Sequence, residues 1–208
     1  MTTKQSLQLV LFFLVTSMAS AQQIYLEAGK TSSSFDYKNS QGQRLENLQA
    51  TNHHFMSIGY RDNIASFETL HGSLGIGYMG YGAIGSDATV GIMEWNVNYL
   101  ELNAGVDYSV FAINDSAFYL KGIFSSGFLL QGTQSLNNEI INLKNVDDFD
   151  KTMFSFKIGA GFLHPVSDEL SFYVQYLFGK SLNQSGNDDY ESLRIESHNI
   201  SFGALIEL

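Results

Sequence analysis

Glu196, His198 and Ser201 are the residues whose types best suit nucleophilic catalysis, an acid, a base and a hydroxyl in one short stretch. A triad needs nucleophile, base and orienting group within hydrogen-bond reach of one another. Successive side chains of a strand point to opposite faces. Glu196 and His198 would then share a face while Ser201 takes the other, and no catalytic residue is assigned. His53, His54 and His71 are the candidate metal ligands. No carboxylate sits at ligand spacing beside the adjacent pair, and a strand would send its two imidazoles apart, so no metal site is expected. Gly75-Ile76-Gly77-Tyr78-Met79-Gly80 matches G-x-G-x-x-G. A dinucleotide site needs that pattern at a strand-to-helix turn. Here it lies inside an alternating segment between Gly72 and Gly82, where glycines relieve crowding in a curved strand. No cofactor is expected. Lys121 and Lys157 with Glu101 and Asp107 could line a pore or close one as a polar plug.

The composition narrows the classes further. The chain has 208 residues, enough for one sizeable domain, with 44% hydrophobic residues and 15% charged. An ordinary soluble domain carries roughly 25% charged residues. With no Cys, a disulfide scaffold, a thiol nucleophile, a zinc-thiolate site and a lipid-modified cysteine are all excluded. The net charge of −10 speaks against nucleic acid as a partner, because too few Lys and Arg are present to release counterions. The acids gather in expected loops, at Asp147, Asp148 and Asp150 and again at Asp188, Asp189 and Glu191. They read as a solvated surface, with divalent-cation binding as the sharper alternative.

The N-terminus reads as an address. Lys4 precedes the apolar run Leu7–Val15, and Ala19-Ser20-Ala21 forms an A-x-A cleavage site. These are the three parts of a secretory signal peptide. The spacing predicts a signal peptide over 1–21, cleavage between Ala21 and Gln22, and one domain over 22–208. The apolar run is too short for a spanning helix, which needs about 20 residues. A membrane-embedded mature chain would have to close a β-barrel to satisfy its backbone hydrogen bonds.

The period that organises the rest of the chain is two. Leu100, Leu102, Ala104, Val106, Tyr108 and Val110 alternate with Glu101, Asn103, Gly105, Asp107 and Ser109. Phe154 to Phe162, Leu170 to Phe178 and Ile200 to Leu208 repeat the pattern. It predicts eight strands, near 23–35, 54–61, 65–82, 95–112, 117–134, 152–164, 169–181 and 195–208. Tight turns are expected at 61–64, 113–116 and 165–168, where Asn, Asp and Pro supply the turn chemistry. Long polar loops are expected at 36–53, 83–94, 135–151 and 182–194. Short turns at one end and long loops at the other are the pattern of an outer-membrane barrel.

Which face is outside follows from the second face. It is mostly Gly, Ser, Asn and Gln, whereas soluble surfaces are rich in charge. Small polar residues suit the interior of a narrow barrel, which side chains just fill. Leu102, Val106, Phe156, Phe162, Phe172 and Phe202 are therefore expected to face lipid. Glu27, Glu101, Asp107, Lys121, Lys157 and Glu207 are expected to form a polar network in the lumen, because unpaired buried charges are costly. Tyr25, Tyr60, Tyr78, Tyr81, Trp95, Tyr99 and Tyr108 stand near segment ends, as an interfacial aromatic girdle would. A periplasmic barrel or sandwich is the soluble alternative.

The signal peptide, the eight alternating segments and the final strand His198–Leu208 together resemble small outer-membrane β-barrel proteins, the porin-like or OmpA/OmpX-like group common in Bacteroidetes. The resemblance implies an all-β, eight-stranded antiparallel up-and-down transmembrane β-barrel in a Gram-negative outer membrane. It implies outer-membrane lipids and lipopolysaccharide as surroundings, and insertion by the barrel-assembly machinery. The terminal strand of such proteins typically ends in an aromatic residue, where this chain has Leu208. A structural, adhesion or surface-interaction role is expected, with no extracellular ligand named. A narrow channel for ions or small solutes is the alternative, since a diffusion pore normally uses about 16 strands. Catalysis on lipid A is a third reading. Lipid A deacylases carry His and Ser two apart, which His198 and Ser201 do not match.

Overall fold

A period-two pattern with β-branched and aromatic residues builds strands, and short polar segments such as Asn114-Asp115 turn them. The computed structural model describes residues 23–38, 44–45, 48–64, 67, 69–87, 91–136, 139–144, 146, 149, 151–182, 184–185 and 192–208. The expected signal peptide with Ala19, Ala21 and Gln22 lies outside them, as do Asp147, Asp148, Asp150, Asp188, Asp189 and Glu191.

The strands are β1 (Gln23–Lys38), β2 (Gln49–Asn63), β3 (Leu70–Asp87), β4 (Gly91–Ile113), β5 (Ser116–Leu136), β6 (Glu139–Asn142), β7 (Met153–Pro165), β8 (Leu170–Ser181), β9 (Gln184–Ser185) and β10 (Ser192–Glu207). Eight long strands pair antiparallel in the order β1-β2-β3-β4-β5-β7-β8-β10, and β10 pairs back on β1. The closing ladder runs from Gln23 opposite Glu207 to Lys38 opposite Ser192. The chain is thus an all-β up-and-down barrel whose ring has no open edge. β6 and β9 are short additions paired on β5 and β10. Among the described residues no helix is long and apolar enough to cross a membrane.

Tight connections mark one end. Between β4 and β5, Asn114 and Asp115 have φ of 47° and 67°. Two positive φ values define a type I′ turn, whose twist matches the flanking strands. Between β7 and β8, the Val166 amide donates to the Leu170 carbonyl at 2.8 Å. The first connection is displaced from the expected 61–64. β2 continues to Asn63, opposite His71, and the Ile64 amide donates to the Leu70 carbonyl at 2.8 Å. Arg61 belongs to the wall because it keeps the inward phase of Phe55, Ser57 and Gly59 and finds an interior counterion. Tertiary pairing overrides its turn-like neighbours.

At the other end the strands outrun expectation. β3 and β4 stay paired out to Asp87 opposite Gly91, so most of the expected 83–94 loop is hairpin. The expected 135–151 loop likewise contains β6. Polar Glu94 and Ser135 lie in those two expected loops, yet they sit opposite each other in the ladder.

The reason is a change in polarity along each strand. Leu102, Val106, Phe156, Phe162 and Phe202 all project outward and are exposed, Phe202 at 59%. Phe172 lies on the same outer face, half-buried and stacked on Phe202 with ring centroids 5.3 Å apart. Beyond this belt the inward residues become apolar and the outward ones polar. On β4 the inward series reads Trp95, Val97 and Tyr99, then Glu101, Asn103, Gly105 and Asp107. On β10 it reads Leu193 and Ile195, then Ser197, Asn199 and Ser201. The far part of the barrel therefore encloses an apolar core in the manner of a soluble protein. Phe35, Phe55, Met79, Tyr81 and Trp95 meet there with Leu143 and Phe149 from the β6–β7 connection. Fully burying each large apolar side chain contributes about 1.5–3 kcal/mol.

This corrects the girdle expectation. Tyr60, Tyr78 and Tyr108 lie on the outer face, but Tyr25, Tyr81, Trp95 and Tyr99 point inward and are buried. An aromatic residue at a strand end belongs to the outer belt only when its parity matches the outward set.

Candidate functional site

The near half of the lumen gathers the ionisable residues, because odd positions of β1, β2, β3, β4, β5 and β7 all face it. Asp107 on β4 sits at the centre of one group. Arg61 donates to Asp107 Oδ2 from Nε at 3.0 Å and from Nη2 at 2.5 Å, and its Nη1 donates to Gln23 Oε1 at 2.6 Å. Lys121 Nζ stands 3.7 Å from Asp107 Oδ1, and His71 Nδ1 stands 3.7 Å from Oδ2. The Lys121 ammonium also lies 5.8 Å from the centre of the Tyr25 ring.

A second group centres on Glu27, whose Oε2 accepts from Tyr173 Oη at 2.9 Å and Gln175 Nε2 at 2.8 Å. Gln175 Oε1 accepts in turn from Tyr119 Oη at 3.0 Å. The third group is Glu101 and Lys157, an ion pair in which both side chains are buried. Tyr81 Oη donates to the other Glu101 oxygen at 2.6 Å, and Ser125 Oγ lies 3.4 Å from the Lys157 ammonium. Buried polar groups are tolerable when their hydrogen bonds are met.

Among the described residues, the acids Glu27, Glu101 and Asp107 are matched inside the wall by Arg61, Lys121 and Lys157. An interior of balanced sign avoids the desolvation cost of unpaired charge. The structure brings together five of the six residues expected there. Glu207 differs: it is exposed at the end of the barrel, where Gln23 donates to it. It keeps the inward parity, but β10 ends there and the lumen opens to solvent.

Arg61, Gln175, Tyr81, Tyr119 and Tyr173 were missed by sequence reasoning. Parity was the signal for Arg61, two residues beyond Gly59 in the inward series. The tyrosines were hidden because an inward aromatic needs space opposite. Gly203 provides it for Tyr173: a Cβ on Gly203 would lie 2.2 Å from the Tyr173 ring. Gly75, from the G-x-G-x-x-G stretch, does the same for Tyr25, whose Oη would lie 1.9 Å from an added Cβ. That stretch is a strand of β3, with no strand-to-helix turn.

Little space remains in the polar section. Two internal cavities there measure about 30 and about 10 Å³, room for a water or two. The apolar core lies beyond them.

The other candidates are dispersed. Ser201 is buried inside the wall, while His198 is outside it, sharing a 2.6 Å hydrogen bond with Tyr176 Oη. Glu196 is held by Lys180. His54 points outward and His53 inward, with its Nε2 2.9 Å from Thr51 Oγ1. Among the described residues no group of three His, Cys, Asp or Glu is arranged to hold a metal ion.

Fold and site together define a narrow, closed up-and-down β-barrel with a charge-balanced interior and an apolar outer belt. No protein-family model matches the chain, and no curated protein matches it. Solved structures are similar in chain path. Neisserial surface protein A is 12% identical, with a TM-score of 0.49 over 89% of this chain and 97% of that one. OprG, an outer membrane protein from Pseudomonas aeruginosa, is 11% identical, with a TM-score of 0.47 over 90% and 97%. Ail, the attachment invasion locus protein of Yersinia pestis, is 9% identical, with a TM-score of 0.43 over 89% and 99%.

Proposed function

We propose that this barrel spans a Gram-negative outer membrane and acts there as a sealed structural or surface-interaction protein. The observation that carries the reading is the double closure of the lumen. A charge-paired section fills the half inside the apolar belt, and an apolar core with Trp95, Tyr99 and Phe149 fills the half beyond it. The exposed belt of Leu, Val, Ile and Phe is what a bilayer would cover, and the export-signal pattern at the N-terminus agrees. The short turns would face the periplasm and the extended hairpins the exterior.

A sealed barrel displays its hairpins without conducting. Refolded protein in planar bilayers should show no stable openings, and the protein should fractionate with outer membranes with heat-modifiable gel mobility. Steady ion conductance would favour the channel reading instead. An enzymatic role finds no support in the trio Glu196, His198 and Ser201, which the wall divides. Unchanged lipid A acylation in cells with and without the protein is the expected result.

A further inference from the structure

The outer wall is not uniformly apolar. Lys30 on β1 and His54 on β2 are directly opposite each other, and both side chains are exposed on the outside. Such pairs have Cβ atoms roughly 5 Å apart. His198 on β10 lies on the same face, diagonal to Lys30, which is opposite Ile200. Among the described residues Lys30 enters no ion pair. The carboxylates further out on the same strands, Asp36 and Glu196, are held by Arg44 and Lys180.

One step down each strand, the wall drops into an apolar groove of about 600 Å³. Ala28 and Ala204 form its shallow floor, and Met56, Ile58, Tyr78 and Phe202 rise around it. Ala28 follows Lys30 on the outward face of β1, and Met56 follows His54 on β2, so the Lys30 ammonium and the His54 imidazole stand at the mouth of the groove.

From this juxtaposition we infer that the wall holds one phosphorylated, acylated glycolipid of the lipid A class, its phosphate on Lys30 and His54 and an acyl chain in the groove. The inference rests on the proposed outer-membrane location. Two features select the occupant. A lone ammonium beside an imidazole on a lipid-facing wall is electrostatically complementary to phosphate. The groove continues directly beneath, so the ligand is an amphiphile and not free phosphate. The site lies toward the end of the belt remote from the short turns, which is the outer leaflet in the proposed orientation.

Native mass spectrometry of the refolded full-length mature chain tests this, with bisphosphorylated lipid A, dephosphorylated lipid A and phosphatidylglycerol as probes. Wild-type protein should retain one bisphosphorylated lipid A, and dephosphorylated lipid A about tenfold less, the scale of a lost charge-assisted contact. Lys30→Gln with His54→Gln should lower retention about tenfold. Ala28→Phe, which fills the groove and leaves Lys30 and His54 in place, should lower it too. Heat-modifiable mobility of each variant shows that it is folded. Equal retention by the charge variant, or of the dephosphorylated lipid, would overturn the site, as would phosphatidylglycerol held as firmly as lipid A. A wild-type chain that inserts in bilayers but retains no lipid A refutes the site alone. A chain that inserts in no bilayer refutes the outer-membrane reading and the site with it.

Discussion

Glu101 and Lys157 meet inside the barrel at the level where its interior turns from polar to apolar. Glu101 is fully buried, takes the Tyr81 hydroxyl on one oxygen and the Lys157 ammonium on the other, and so uses both carboxylate oxygens. Tyr81 itself belongs to the apolar core above. The pair is thus the seam between two kinds of filling, and it joins β4 to β7, which are not neighbours in the ring.

Breaking this pair should be costly. Lys157→Met would leave Glu101 buried without its counterion, a change that costs about 3–5 kcal/mol in comparable sites. Glu101→Gln combined with Lys157→Met should recover much of that loss, because no unpaired charge remains. Urea unfolding of the refolded protein in lipid vesicles measures both. Equal losses in the single and double variants would refute the coupling.

Neither variant should open a conducting path, since the apolar core beyond the pair is untouched. Single-channel recording of Lys157→Met should give the same silent trace as the wild type. A new, steady conductance would show that the ion pair alone seals the lumen.

Trp95 is the sole tryptophan and is only 4% exposed, inside the wall against Phe35 at 6.3 Å between ring centroids. Its emission should be blue-shifted and resist quenching by brominated lipids. Strong quenching from the bilayer would put it on the outer face, as a girdle residue.

The belt can be mapped because the chain has no Cys. Nitroxide labels on Phe156→Cys and Phe202→Cys should respond to lipid-soluble oxygen, and a label on Phe35→Cys should not. Burial of the first two within protein would mean that the barrel is inside out.

Tyr173 covers Gly203 on the neighbouring strand. Gly203→Ala should destabilise by about 1–3 kcal/mol, the usual cost of overpacking, because both groups are backbone-anchored and the added methyl meets the ring. Tyr173→Phe keeps the ring but removes the donor to Glu27. Adding Tyr173→Phe should leave the Gly203→Ala penalty nearly unchanged in urea unfolding, while Tyr173→Ala should relieve it. A penalty that persists with Tyr173→Ala would assign it to the backbone.

By itself the sequence determined the eight long strands and their up-and-down order, because side-chain alternation and turn chemistry are local consequences of backbone geometry. It also determined which residues of the central belt face out and that Glu27, Glu101, Asp107, Lys121 and Lys157 face in. The tertiary structure decided the partners. Glu101 and Lys157 are 56 residues apart, and Arg61 and Asp107 are 46 apart. Ladder register around a closed ring sets both distances, and no local pattern encodes it. It also decided where the inward face of each strand turns from polar to apolar. Trp95 and Leu102 are both apolar, yet one is inside and the other outside. Parity separates them, and the surroundings that make each placement favourable exist only once the wall has closed.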